Sequence, residues 1–210
     1  MQNKKICLIK HPLIEHYAGI LRNEKTDAQT FRWALKNLTK LIVFHVTQNL
    51  NTREVKIKTP LETTRVQQLS NSVILLPILR AGWGMLQPFE EIIPHTKIGQ
   101  IGYFRDEKKF KSKKYYFKLP KINPNDIILL LDPMLATGGT IIAALKELKK
   151  ITTNKICIVS LFAAPEGIEA IENAFPNVCL YLAQIDNKLN NQKYILPGLG
   201  DAGDRFFNTE

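Results

Sequence analysis

The run Ile128 to Thr140, ILLLDPMLATGGT, sets one carboxylate at the end of an apolar stretch and follows it with hydroxyls and glycines. An apolar strand that delivers Asp132 to its C-terminal end puts the acid where open α/β sheets take their ligands. The loop behind it, Pro133, Met134, Leu135, Ala136, Thr137, Gly138, Gly139 and Thr140, leads into a predicted helix. Small residues there let backbone N–H groups converge on a phosphate. Thr137 and Thr140 add hydroxyl donors, and a helix N-terminus favours negative charge. An ordinary strand-to-helix turn with a capping threonine is the plainer alternative, but it does not account for the acid, the paired hydroxyls and the paired glycines together. The glycines are not followed by GK[ST], which excludes a Walker A loop, and no dinucleotide fingerprint is present.

Two further stretches could meet a phosphate. Arg80 follows the apolar run Ser72 to Leu79 and precedes Ala81, Gly82, Trp83 and Gly84. Its guanidinium offers a fork of donors to phosphate oxygens, and the glycines permit a sharp turn close to a ligand. Residues 105–118 carry Arg105 and six lysines (108, 109, 111, 113, 114 and 118) against Asp106 and Glu107, with Tyr115, Tyr116 and Phe117 behind them. They read as a mobile basic hairpin or flap, in which most lysines are simply solvated. Trp33 is expected in the core or in a subunit contact, and Trp83 beneath its turn. His11, His16, His45 and His95 form no metal-like cluster and are taken as non-catalytic.

Positioning these groups needs alternating strands and helices. Phe31, Leu35, Leu38, Ile42 and Val46 recur at helical spacing within 28–50, while Leu21 to Asp27 reads as a polar surface approach. Arg53 to Thr59 suggests an edge strand, and Glu62 to Leu69 the start of a helix. Strands are expected at 72–79, 97–103, 126–131, 155–162 and 178–183, with helices at 85–93, 140–149 and 168–174. The strands near 73–76 and 128–131 lack polar alternation, as when both sheet faces are covered. The pattern predicts an α/β fold with a mostly parallel central sheet flanked by helices. Residues 1–210 are expected to form one domain, with the core sheet in 72–183, a flap at 103–118 and a hood at 184–210.

Composition narrows the function classes. With 45% hydrophobic and 23% charged residues, the 210-residue chain is globular rather than disordered. The net charge of +10 could attract phosphates or nucleic acid. Neither zinc-finger spacing nor an arginine-rich tail accompanies it, so nucleic acid is not an expected partner. Cys7, Cys157 and Cys179 lie far apart without a CxxC, and the last two read as core thiols. The start, MQNKKICLIKHPLIEH, lacks a signal-peptide core and cleavage site. No apolar run reaches the length of a membrane span, and the cytoplasm is the expected compartment.

The DPMLATGG loop resembles the phosphoribosyl diphosphate signature of type I phosphoribosyltransferases, in which a second acid usually stands where this chain has Pro133. The proline at that place is a habit of the uracil phosphoribosyltransferase family. Pro77 to Gly82 resembles that family's diphosphate turn, and Ala164 to Gly167 its segment after the next strand. YILPGLGDAGDR, residues 194–205, resembles its base-binding stretch. His11-Pro12-Leu13, Leu21-Arg22, Phe31-Arg32 and Thr59-Pro60-Leu61 fit more loosely.

The resemblance implies conversion of uracil and 5-phospho-α-D-ribose 1-diphosphate to UMP and diphosphate. It implies Asp132 at the ribose hydroxyls, Ala136 to Thr140 at the 5′-phosphate, and Arg80 and Arg105 at the diphosphate. Ile195, Gly200 and Ala202 would meet uracil through backbone groups. Asp201 would lie between base and sugar, near Mg²⁺ or its waters, with the metal held mainly by the substrate diphosphate. Asp132, Arg105 and Asp201 are the expected catalytic residues. Asp204 is expected to pair with Arg205, and Glu166 to cap the helix near Gly167. A homodimer or larger homo-oligomer is implied, with GTP as an activator of some relatives.

Two departures bear on these expectations. His45, Gln48 and Asn49 replace charged residues common in the family, which touches assembly and the response to GTP. Asn208 replaces a usual glycine, and asparagine tolerates a left-handed backbone better than most residues. An enzyme for another base or a uracil analogue, and a weakly catalytic ligand-sensing or RNA-binding homologue, are the alternatives.

Overall fold

The structure, a computed structural model, describes residues 5–106 and 111–209. The chain begins with β1 (Ile6–Leu8), α1 (Pro12–Arg22) and α2 (Ala28–Thr47). A hairpin of β2 (Thr52–Lys58) and β3 (Thr63–Leu69) follows, then β4 (Val73–Leu79) and α3 (Trp83–Ile92). Next come β5 (Lys97–Ile98), β6 (Gln100–Asp106), β7 (Lys111–Lys118), β8 (Ile127–Leu131), β9 (Met134–Leu135) and α4 (Gly139–Ile151). The chain closes with β10 (Ile156–Ala163), α5 (Pro165–Ala174), β11 (Cys179–Ile185), β12 (Lys188–Leu189), β13 (Ile195–Leu196) and α6 (Ala202–Phe207).

The main sheet has nine strands in the order β1-β11-β10-β8-β4-β6-β7, with β5 beside β4 and β9 beside β10. Its pairings are parallel except β6 with β7. Side chains alternate between its faces. Ile127, Leu129 and Leu131 pack with Phe31, Leu35 and Phe89 of α2 and α3. Ile128 and Leu130 pack with Ile141, Leu145 and Leu148 of α4 on the opposite face. Helices therefore cover both faces, which is why β8 reads as unbroken aliphatic sequence. Asp27 starts α2 by accepting from the Thr30 N–H at 2.8 Å, and Phe31, Leu35, Leu38, Ile42 and Val46 are all buried, as their spacing predicts.

Two expectations are corrected. Leu21 is not on a polar approach: it is fully buried on α1. Residues 63–69 form a strand rather than a helix. Thr63, Thr64 and Val66 favour extended backbone, and Thr59 closes the turn by accepting the Glu62 N–H at 3.0 Å. The strand at 52–58 is an edge strand as expected, in a two-stranded sheet with β3 rather than in the main sheet. Of the two places expected for Trp33 the core is excluded: it is 51% exposed and meets Tyr17 edge to face. The expected strand at 97–103 is real but divided at Gly99.

Asp126 ties down the end of the sheet remote from the ligand loops. Its carboxylate accepts from Lys97 Nζ at 2.7 Å, from the Asn123 N–H at 2.7 Å and from the Ser72 hydroxyl. Burial pushes the carboxyl up, but Lys97, Ser72 and Asn123 together hold it below its ordinary value. A depressed folded-state value contributes stability above the unfolded value, and that stability is lost as pH falls through the folded one. Asp126→Asn is expected to cost about 2 kcal/mol at neutral pH. In urea titrations the gap to the parent should close as pH falls below the ordinary Asp range. A gap that stays constant with pH would contradict this account.

Candidate active site

Three strand-to-helix connections meet above the C-terminal ends of β4, β8 and β10. Pro77 of β4 lies in register with Leu131 of β8, so on neighbouring strands Asp132 follows that pair by one residue and Arg80 by three. The 79–84 turn sits directly on β8. A Cβ on Gly82 would fall 2.3 Å from the Leu131 carbonyl oxygen and 2.7 Å from the backbone of Ile78. Only glycine fits, because backbone atoms on both sides cannot yield. The Leu79–Arg80 peptide is cis.

Asp132 is half-buried and accepts from the Met134 N–H at 3.2 Å. Burial dominates this one backbone bond and pushes its carboxyl up to about 7. Pro133 and Leu135 are buried and Met134 half-buried, so the loop's apolar residues anchor it. Both Leu161 and Phe162 donate their N–H groups to the Pro133 carbonyl. Beyond Ala136 and Thr137 the chain turns at Gly138, whose φ of 75° is left-handed and favours glycine. α4 then starts at Gly139 and Thr140 with no acidic residue in its first turn. Thr137 Oγ1 accepts from the Gly139 N–H at 3.4 Å. The result is a compact loop at a helix N-terminus, suited to an anion.

The C-terminal segment closes over this floor. Ile195 and Ala202 are buried, whereas Gly200 and Asp201 are exposed. Asp201 starts α6, accepting from the Asp204 N–H at 2.9 Å. A point one bond from Gly203 Cα lies 3.1 Å from Asp201 Oδ1 and 3.8 Å from Arg80 Nη2, so α6 borders the 79–84 turn. The expected Asp204–Arg205 pair does not form. Asp204 accepts from Arg80 Nη2 at 2.8 Å, while Arg205 turns the other way and donates to the Leu199 carbonyl at 2.9 Å. Neighbours on a short helix diverge, so these two side chains leave in different directions. Thr209, which the sequence did not single out, donates to Asp204 at 2.8 Å. Its hydroxyl and the Arg80 guanidinium hold the Asp204 carboxyl below its usual range. Asn208 adopts the left-handed backbone its type tolerates, with φ 57°.

Trp83 is 43% exposed at the start of α3 and does not pack beneath the turn. Glu166 does not cap α5, which begins after Ala164. It accepts the Leu189 N–H at 3.0 Å and so ties α5 to the C-terminal segment. The basic hairpin is β6 and β7, and Lys114 pairs with Glu147 of α4 at 2.6 Å. Arg105 lies on the β6 backbone opposite Ser112. Its side chain, and the chain at 107–110, fall outside the described residues. Among the described residues no cluster of three or more His, Cys, Asp or Glu could hold a metal ion.

This floor of parallel strand ends with an acid, an arginine turn and an anion loop defines a phosphoribosyltransferase fold. The adenine phosphoribosyl transferase of Trypanosoma brucei shares it at TM-score 0.57 and 12% identity, covering 94% of this chain and 88% of that one. The sequence profile described as uracil phosphoribosyltransferase matches residues 8–209, and the chain belongs to that family. Uracil phosphoribosyltransferase of Clostridium beijerinckii is 46% identical over 207 residues, covering 98% of this chain and 99% of the relative. That of Campylobacter curvus is 44% identical over 206 residues, at 98% and 99% coverage. A solved structure, the AQ2163 protein of Aquifex aeolicus, superposes with TM-score 0.91 at 37% identity, over 96% of this chain and 97% of that one.

The raised Asp132 carboxyl has a consequence for stability. Between the ordinary Asp value and about 7 the folded state holds a proton that the unfolded state has lost, so stability falls as pH rises through that window. Asp132→Asn removes the effect. The ligand-free variant should gain in melting temperature over the parent as pH rises to about 7 and hold a constant lead above it. Parallel melting curves from pH 5 to pH 8, read by circular dichroism, would contradict the buried-acid description.

Proposed function

We propose that this chain transfers the 5-phosphoribosyl group from 5-phospho-α-D-ribose 1-diphosphate to N1 of uracil, giving UMP and diphosphate. One observation carries the reading. The 136–140 anion loop, Asp132 and Arg80 stand on adjoining strand ends, and α6, which continues from the segment 195–202, borders the Arg80 turn at Gly203. Family membership and the uracil phosphoribosyltransferase relatives support uracil as the base.

In the reaction the bond from C1 of the ribose to diphosphate breaks as the bond to uracil N1 forms, and the N1 proton passes to solvent. Amides and hydroxyls of Ala136 to Thr140 hold the 5′-phosphate. Asp132 accepts from the ribose hydroxyls, and Pro133, Met134 and Leu135 shape the loop between them. Arg80 exchanges Asp204 for the diphosphate, whose negative charge grows as it leaves. Backbone groups of Ile195, Gly200 and Ala202 meet the alternating donors and acceptors of uracil. Asp201 is exposed and would lie between base and sugar, near the metal or its waters.

Among the described residues the carboxylates form no cage, so Mg²⁺ would be carried in by the diphosphate and would supply positive charge to the leaving group. The β6–β7 hairpin serves as a flap that brings Arg105 in and keeps water from C1. The whole chain acts as one domain in the cytoplasm. Trp33 and Phe44 are exposed and, eleven residues apart on α2, share one helix face, which supports assembly into a homo-oligomer. GTP activation, tied by resemblance to the stretch holding His45, Gln48 and Asn49, is read by adding GTP to the assay.

UMP formation by the purified protein tests the proposal. Asp132→Asn should fold and lower turnover by about a hundredfold. Parental turnover in that variant would remove Asp132 from the ribose site. A folded parent that binds phosphoribosyl diphosphate yet forms no UMP would favour a ligand-sensing homologue instead.

A further inference from the structure

The structure assigns Arg22 and Asp186 a role in positioning uracil: they form a buried clamp on the backbone of the 195–200 loop. This rests on the reading of that loop as the base site. Asp186, its side chain 3% exposed, follows β11 and donates its own N–H to the Ala163 carbonyl at the end of β10. Its carboxylate accepts from both Nη atoms of Arg22 and, at 2.9 Å, from the Gly198 N–H. Arg22 Nη1 also donates to the Gly198 carbonyl at 2.9 Å. A single ion pair thus holds both backbone polar groups of Gly198. Arg22 is the last residue of α1, and its guanidinium lies over the Phe162 ring at 4.7 Å, so the pair is referred to both a helix and the central sheet.

Arg205 extends the same arrangement by one residue. It donates to the Leu199 carbonyl at 2.9 Å, to the Asn23 carbonyl at 2.6 Å and to the Leu21 carbonyl, and it stacks over Phe31 at 4.6 Å. The two residues before Gly200 are therefore both fastened to the end of α1. A base met by main-chain groups gains nothing from side-chain adjustment. Its recognition depends on where the backbone is held, and small displacements cost binding steeply. The Arg22–Asp186 pair supplies that reference without touching the base.

A brace that only stabilises the fold would behave like the Lys97–Asp126 pair, which is also buried on its acidic side at 3% exposure but lies at the opposite end of the sheet. Arg22→Lys, Asp186→Asn and, for comparison, Asp126→Asn separate the two roles. Arg22→Lys and Asp186→Asn should raise KM for uracil about tenfold, with Kd for phosphoribosyl diphosphate within about twofold of the parent. Asp126→Asn should lower the melting temperature and leave the uracil KM alone. Arg22→Lys, which keeps the charge, decides the matter if Asp186→Asn does not fold. Unchanged uracil KM in Arg22→Lys, or an equal rise in Asp126→Asn, would overturn the clamp. Should the parent form no UMP, the functional reading falls, and amide exchange still tests the clamp. Arg22→Lys should then speed exchange at 195–200 selectively, and uniform or unchanged exchange would overturn it.

Discussion

Everything at the ligand end depends on the approach of the Gly82 backbone to the Leu131 carbonyl. That contact leaves no space for a side chain. It lets the turn after β4 rest on the end of β8, and so sets Arg80 near the half-buried Asp132. The parallel register of β4 and β8 sets the two strand ends side by side, with β4 running two residues further. The apolar alternation across β8 holds that register, because a one-residue slip would turn Leu131 away from α2 and α3. The phosphate loop, α6 and the base segment are all placed against this pair of strand ends.

The charges at the site are arranged as exchanges rather than fixed pairs. Asp132 sits where burial raises its carboxyl, with a single backbone donor to oppose it. Arg80 is engaged and oriented by Asp204, which is itself held by Thr209. The acid-free α4 terminus and this arginine are both suited to the negative charge of a phosphate. The proposed base side is different in kind. There arginines hold the backbone of Gly198 and Leu199, and main-chain groups would meet the base.

Much of this was legible in the sequence where local chemistry and fold agree. The buried strands, the acid at a strand end and the paired glycines each leave a local signature. The readings that failed are those in which distant partners decide. Nothing near Asp204 in sequence points to Arg80, which lies 124 residues away. The order of residues 62–69 does not reveal that β2 supplies their hydrogen bonds, so a strand read as a helix. Leu21 looked polar because its neighbours are, although its own side chain enters the core. Asp186 carried no motif at all; its burial against Arg22 exists only once residues 164 apart in sequence meet.

The most direct measurement offers phosphoribosyl diphosphate and Mg²⁺ to the purified protein with uracil, cytosine, hypoxanthine or orotate in turn, and identifies each product. A main-chain base site shaped for the N3–H and carbonyls of uracil predicts a nucleotide from uracil alone. A product from another base at a comparable rate would contradict it.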